Sequence, residues 1–265
     1  MESSNSHNIL FSCQTQKAFS TEQIALEHTL VYIVSGRLEL QFSNQKIVSE
    51  AEEILIVRRN VLLKALKIPD ENRTPFKSVN IQLTEEVLRI YATQNKIIKQ
   101  EKYTGSLMLN LSRNKFIRAY FDSLMPYFNQ PEKLSSKMAD LKSQEAIELL
   151  LDANHNLEQF LFDLSEPHKI DLEKFMNTNY LFNIPLTEFA WLTGRSLSTF
   201  KRDFKTVFNT TPEKWLKDRR LDEAKYLISE KKQKPSEVYY NVGFENFSHF
   251  STAFKQRFGH NASGK

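Results

Sequence analysis

At 265 residues, 40% hydrophobic and 26% charged, the chain is long enough for two domains with separate cores and is ordinary in composition for a globular protein. Its single cysteine, Cys13, excludes an intramolecular disulfide and any cysteine-based zinc site. The net charge of +4 is unevenly placed: residues 170–265 hold 16 Lys and Arg against 11 Asp and Glu, a surplus of five, which leaves residues 1–169 at −1.

In chain order, the first eight residues are polar and lack the basic start and apolar run of a signal peptide. No stretch approaches the roughly 18 apolar residues of a membrane span, so a cytoplasmic protein is expected. Residues 9–83 read as short β-strands. The segments 28–34 and 37–42 flank Ser35 and Gly36 as a hairpin would, and 37–42 alternates, with Leu38, Leu40 and Phe42 on one face. Further strands are expected at 53–57, 61–68 and 78–83. Strands of this length and spacing predict a small antiparallel barrel or jelly roll.

From Glu85 the period becomes helical. A short helix is expected over 85–92. A second, over 112–128, has Phe116, Ile117, Tyr120, Phe121 and Leu124 as its apolar stripe and is disturbed near its end by Pro126. A third runs over 136–164, with Leu141, Leu149 and Leu150 among its apolar positions and a break near 152–156. The helices 112–128 and 136–164 are candidates either for a homodimer seam or for a cover over the strands. Residues 165–169 read as a linker.

The last eighty residues contain a degenerate repeat. The segment from Phe189 to Gly194 is echoed by that from Val238 to Gly243, 49 residues on. Phe200, Phe204 and Phe208 are echoed by Phe250, Phe254 and Phe258, 50 residues on. Each copy is a short amphipathic helix, a glycine turn and a second helix with an aromatic stripe. That is a helix-turn-helix, whose second helix can enter the major groove of double-stranded DNA. In the first copy Ser196 is the N-cap, and Leu197, Phe200, Phe204 and Val207 or Phe208 form the buried stripe. Ser198, Thr199, Lys201, Arg202 and Lys205 are left facing outward; Arg202 can bridge guanine O6 and N7, and the lysines can pair with phosphates. A helix starting at Thr211 and Pro212 runs to about Ser229 and joins the two units. In the second copy Asn246 is the cap, Phe250, Ala253, Phe254 and Phe258 the stripe, and Glu245, Ser248, His249, Thr252, Lys255 and Gln256 the outward face. Phe247 is either core or, if exposed, a contact for thymine methyl groups.

These residues resemble the AraC/XylS family of bacterial transcription regulators. The resemblance runs from Leu186 through Lys205, Pro212, Arg220, Leu221 and Ala224 to Gly243, Phe244, Lys255 and Gly259. It departs at Tyr239 (small in the family), at Asn209 (a glycine), at Asn246 (a serine) and at Ala262 (a proline). Asn209 is an acceptable substitute, because asparagine tolerates the left-handed conformation. The resemblance implies an α+β chain. Residues 1–164 would be a cupin-like β-barrel with helices, acting in sensing and dimerisation. Residues 165–169 would be the linker, and 170–265 an all-α DNA-binding domain with helix-turn-helix units at 186–208 and 235–258. It further implies promoter binding, usually with activation through RNA polymerase, under the control of a small-molecule or a protein effector.

An enzyme built on a cupin-like barrel would need two or three histidines and a carboxylate at barrel spacing. His28 is the only histidine among the strands; His7 precedes them, and His155 and His168 follow. No Ser-His-Asp set, phosphate loop or dinucleotide fingerprint occurs. No catalytic residue, cofactor site or metal ligand is therefore assigned.

Overall fold

Leu38, Leu40 and Phe42 do alternate onto one buried face, but the strand that carries two of them does not pair with the strand before it. The computed structural model describes all residues except 1–3, 7, 20–23, 44, 98–101, 155, 165–168 and 264–265. His7, His155, His168 and four of the five expected linker positions therefore lie outside the described residues. Two compact units are present, Met1–Ser165 and Glu166–Lys265.

The first unit contains strands β1 (Ser4–Ser6), β2 (Ile9–Gln14), β3 (Ala18–Phe19), β4 (Ile24–Ala25), β5 (His28–Ser35) and β6 (Arg37–Gln41). They are followed by β7 (Lys46–Ser49), β8 (Ile54–Val57), β9 (Val61–Leu62), β10 (Lys64–Ile68), β11 (Phe76–Leu83) and β12 (Met108–Asn110). A six-stranded sheet runs β1-β2-β11-β5-β8-β12, a four-stranded sheet β3-β10-β6-β7, and β4 pairs with β9. Every described pairing is antiparallel.

The expected hairpin at Ser35 and Gly36 is instead a corner between sheets. β5 pairs with β11 and β8, and β6 with β10 and β7. Gly36 makes the switch at φ +79°, where a Cβ would stand 2.5 Å from the Ile68 carbonyl oxygen. The corner lets Leu38, Leu40 and Phe42 pack face to face against Val31, Ile33, Leu55 and Phe76 of the larger sheet. The described pairings leave the sheets open rather than closing them into a ring.

Helices cover the other face of the six-stranded sheet: α1 (Glu85–Gln94), α2 (Lys115–Leu124), α3 (Ser136–Ala153) and α4 (Asn156–Phe162). Leu30, Tyr32, Ile54, Ile56, Val79 and Ile81 meet Ile117, Phe121, Leu124, Ile147, Leu150 and Phe160 there. The large sheet is thus a middle layer, and β5 and β8 are buried on both faces, which is why neither alternates. Pro126 converts the end of α2 into a 3₁₀ turn, Met125–Phe128. Two stripe positions are corrected: Phe116 is 58% exposed and Leu141 51%. Their helices are each buried along a face narrower than the apolar stripe.

A buried polar cluster anchors the end of this unit. Arg58 Nη2 lies 2.5 Å from Asp163 Oδ2, which also accepts from the Tyr103 N–H at 3.1 Å. Beside it His28 is fully buried, accepts from the Arg59 N–H through Nδ1 at 3.4 Å, and lies 5.0 Å from the Phe160 ring. Burial, helped by Arg59 and Arg58, pulls its pKa down from 6.5 to about 3.

The second unit is helical: α5 (Leu172–Asn179), α6 (Leu186–Leu192), α7 (Leu197–Phe208), α8 (Pro212–Ser229), α9 (Pro235–Asn241) and α10 (Phe247–Phe258). Among the described residues no helix is long and apolar enough to cross a membrane.

Candidate nucleic-acid interface

The first turn is built by local chemistry. Thr193 is buried, and its hydroxyl donates to the carbonyls of Phe189 and Ala190, both at 2.9 Å, closing α6. Gly194 then reverses the chain at φ +66°. The Ser196 hydroxyl accepts from the Thr199 N–H at 3.3 Å and starts α7. Phe200 and Phe204 are fully buried, and Trp215 of α8 packs on Phe204 and Phe208 with ring centroids 5.6 and 4.7 Å away. Leu197, expected in the buried stripe, is instead 37% exposed, and of the alternatives Val207 and Phe208 it is Phe208 that turns to the core, leaving Val207 46% exposed. Asn209 ends the helix at φ +52°, its N–H bonded to the Lys205 carbonyl. It takes the left-handed position a glycine would otherwise hold.

The second turn repeats the design with other residues. Gly243 reverses the chain at φ +87°, and Asn246 Oδ1 accepts from the N–H groups of Ser248 and His249 at 2.8 and 3.3 Å. Phe250 and Phe254 are buried with Val238, Val242, Leu221 and Ala224. Gly259 ends α10 in the left-handed region. Ala262 is buried in the same core. Phe247 is 43% exposed and stands edge-on to Tyr239 at 5.6 Å.

On the first unit Ser196, Ser198, Lys201, Arg202 and Lys205 are exposed and Thr199 is half-buried. On the second, Glu245, Asn246, Ser248, His249, Thr252, Lys255 and Gln256 are all exposed. Ion pairing sorts the charges on these faces. Lys201 reaches Glu213 at 3.0 Å, and Arg257 is drawn to Asp218 and Asp222 at 2.6 and 2.8 Å. Asp203, the one acid within α7, is held by Lys169 and Arg195, both at 3.1 Å, which keep its carboxyl below the usual range. The guanidinium of Arg202 is 74% exposed and only grazes Asp203 at 3.5 Å. On these two faces Arg202, Lys205 and Lys255 are therefore the cations most available to a polyanion.

Arg220 is among the residues that carry the family resemblance, but the sequence reading assigns it no role. Its Nε donates to the Tyr180 carbonyl at 2.8 Å, its Nη2 to Phe182 at 2.6 Å, and its Nη1 to Gly243 at 3.1 Å and Asn183 Oδ1 at 3.4 Å. Burial lowers its pKa to about 10, so it stays charged at neutral pH. It fastens the second turn to the loop that precedes α6. A pair of adjacent arginines at mid-helix gave no hint that one points inward; Arg219, by contrast, is exposed and lies over the Tyr180 and Trp215 rings at 5.2 and 5.7 Å. Among the described residues no three His, Cys, Asp or Glu side chains converge as metal ligands would.

Two helix-turn-helix units on one helical domain, tied by α8, define a two-headed DNA-binding fold. The ExsA N-terminal regulatory domain family matches residues 28–161, and the helix-turn-helix domain family matches 189–264. The chain belongs to the AraC-type regulators that carry an ExsA-type N-terminal domain. It is 36% identical over 88 residues to the virulence regulon transcriptional activator VirF of Yersinia enterocolitica, covering 33% of this chain and 32% of VirF. It is 30% identical over 124 residues to the transcriptional regulator ExsA of Pseudomonas aeruginosa, covering 46% and 45%. The matched segments thus span less than half the length of these relatives. An apo variant of ToxT from Vibrio cholerae aligns over 97% of this chain and 96% of its own at 10% identity and TM-score 0.46, too distant to argue from.

Proposed function

We propose that the protein is a cytoplasmic, sequence-specific DNA-binding regulator that activates transcription through RNA polymerase and has no catalytic role. Residues 170–265 read two successive major-groove segments. Residues 1–164, joined to them through 165–169, carry the control. The observation that supports this best is the recurrence of one design 50 residues apart: a side-chain cap, two buried phenylalanines, an exposed polar face and a left-handed terminator. Ser196, Ser198, Thr199, Lys201, Arg202 and Lys205 would serve one segment. Glu245, Asn246, Ser248, His249, Thr252 and Lys255 would serve the next, about 34 Å away along the duplex.

The full-length protein should enrich, from random duplexes, two short elements with centres about 10–10.5 base pairs apart. Recovery of no common element at low salt would overturn the reading. We further infer a homodimer through helices 112–128 and 136–164, where Phe116, Met138 and Leu141 stand exposed. Sedimentation as a monomer at micromolar concentration would remove that part.

A further inference from the structure

The two reading helices share a feature that the polar faces do not explain. Leu197 and Phe247 each occupy the first position of their helix, 50 residues apart, the same position in the repeat. They are 37% and 43% exposed, beside the polar and charged residues of the outward faces. Single exposed apolar side chains are ordinary on protein surfaces; their recurrence at one repeat position is not. Phe247 is also held in place, with the Tyr239 ring edge-on at 5.6 Å and Phe250 at 6.1 Å behind it.

The first residues of a reading helix are those that reach base edges in the major groove. The apolar group offered at a base edge in that groove is the C5 methyl of thymine. We propose that Leu197 and Phe247 are specificity-determining residues that each bury a thymine methyl, one in each half of the site. Arg202, Ser198 and His249 then supply hydrogen bonds to neighbouring bases. The inference rests on the DNA-reading function proposed above and adds to it the chemical group selected.

Uracil is thymine without that methyl, so the test removes only the group in question. The full-length protein first selects its site from random duplexes. Each thymine of that site is then replaced singly by deoxyuridine, and affinities are compared at fixed salt. One position in each half should bind about fourfold more weakly as uracil, the effect of exposing one methyl group. Phe247→Ala should bind thymine and uracil equally at one of these positions, and Leu197→Ala should do so at the other. A site in which no uracil weakens binding, or variants that keep the wild-type sensitivity at both positions, would overturn the proposal. If Phe247→Ala melts before assay, the Leu197→Ala arm decides alone, since Leu197 lies on a separate helix. Failure to select any site would sink the DNA-reading function itself, whereas a selected site indifferent to uracil sinks only the methyl contact.

Discussion

Removing Arg220 is the sharpest perturbation of the reading domain, because one side chain closes three main-chain carbonyls and one side-chain amide. Charge-assisted bonds of this kind are strong, but burying the cation opposes folding, so their gross energies do not add. Arg220→Ala removes the donors that the carbonyls of Tyr180, Phe182 and Gly243 accept from. At about 1 kcal/mol for each of the three main-chain hydrogen bonds lost, and about 1 kcal/mol for the lost packing of the methylene stem, the cost comes to about 4 kcal/mol. Relief of the cation's desolvation offsets part of this, leaving an expected loss of about 2–4 kcal/mol. Arg219→Ala is the control one residue away, losing only a surface cation–ring contact of about 0.5–1 kcal/mol. Arg220→Lys keeps the charge without the planar fork and should recover less than half of the loss. Urea unfolding of the full-length protein, followed on the helical unit, measures all three. If Arg220→Ala and Arg219→Ala cost the same, the four-way staple is not what holds the second turn.

Phe204→Ala should cost on the order of 3–5 kcal/mol, since the ring is fully buried between Phe200, Phe208 and Trp215; wild-type melting would mean the core is misplaced. Arg202→Ala should relax preference at one base pair and cost about 1–3 kcal/mol in binding, read by comparing selected sites for the two proteins; identical sites would remove that role. Lys205→Ala or Lys255→Ala should weaken binding to all duplexes and lower the salt slope by about 0.9 for each phosphate no longer neutralised, and an unchanged slope would count against phosphate pairing. His28 supplies a pH dependence. Its folded pKa, about 3, lies below the ordinary 6.5, so the unfolded chain binds the proton first and stability is lost as pH falls below 6.5. The loss should reach about 1 kcal/mol at pH 5.5 and about 3 kcal/mol at pH 4.5. His28→Leu should flatten that stretch of the unfolding profile, and an unaltered acid slope would show that other groups set it.

What could be read in advance divides along the range of the interactions. The bounds of α8, the caps Ser196, Thr211 and Asn246, and the left-handed Asn209 were all legible, because each depends on residues within one turn of itself. The sheet order was not. Ser35 and Gly36 carry the local signal of a hairpin, but whether β6 pairs with β5 or crosses to β10 depends on Ile68 and Phe76, more than thirty residues away. Helical periodicity identifies the right sides of α2, α3 and α7. It does not say how wide the covering surface is, so the stripes that include Phe116, Leu141 and Leu197 outrun the cores they point to.

Arg220 is the same limit in its polar form, and it bears on how the two heads act together. Helix α8 alone would fix their spacing only as firmly as its two ends grip each head. Near its start Trp215 packs on Phe204 and Phe208 of the first helix-turn-helix, and from its middle onward Leu221 and Ala224 enter the core of the second. Arg220 adds a cross-tie between the Gly243 turn and the loop leading to α6, so that the heads are joined by a second route besides the helix itself. A protein that must place two helices in successive grooves at once gains more affinity when their separation is set before binding. By that reasoning the buried arginine serves DNA reading without touching DNA, and its loss should weaken binding to the paired site more than binding to either half alone.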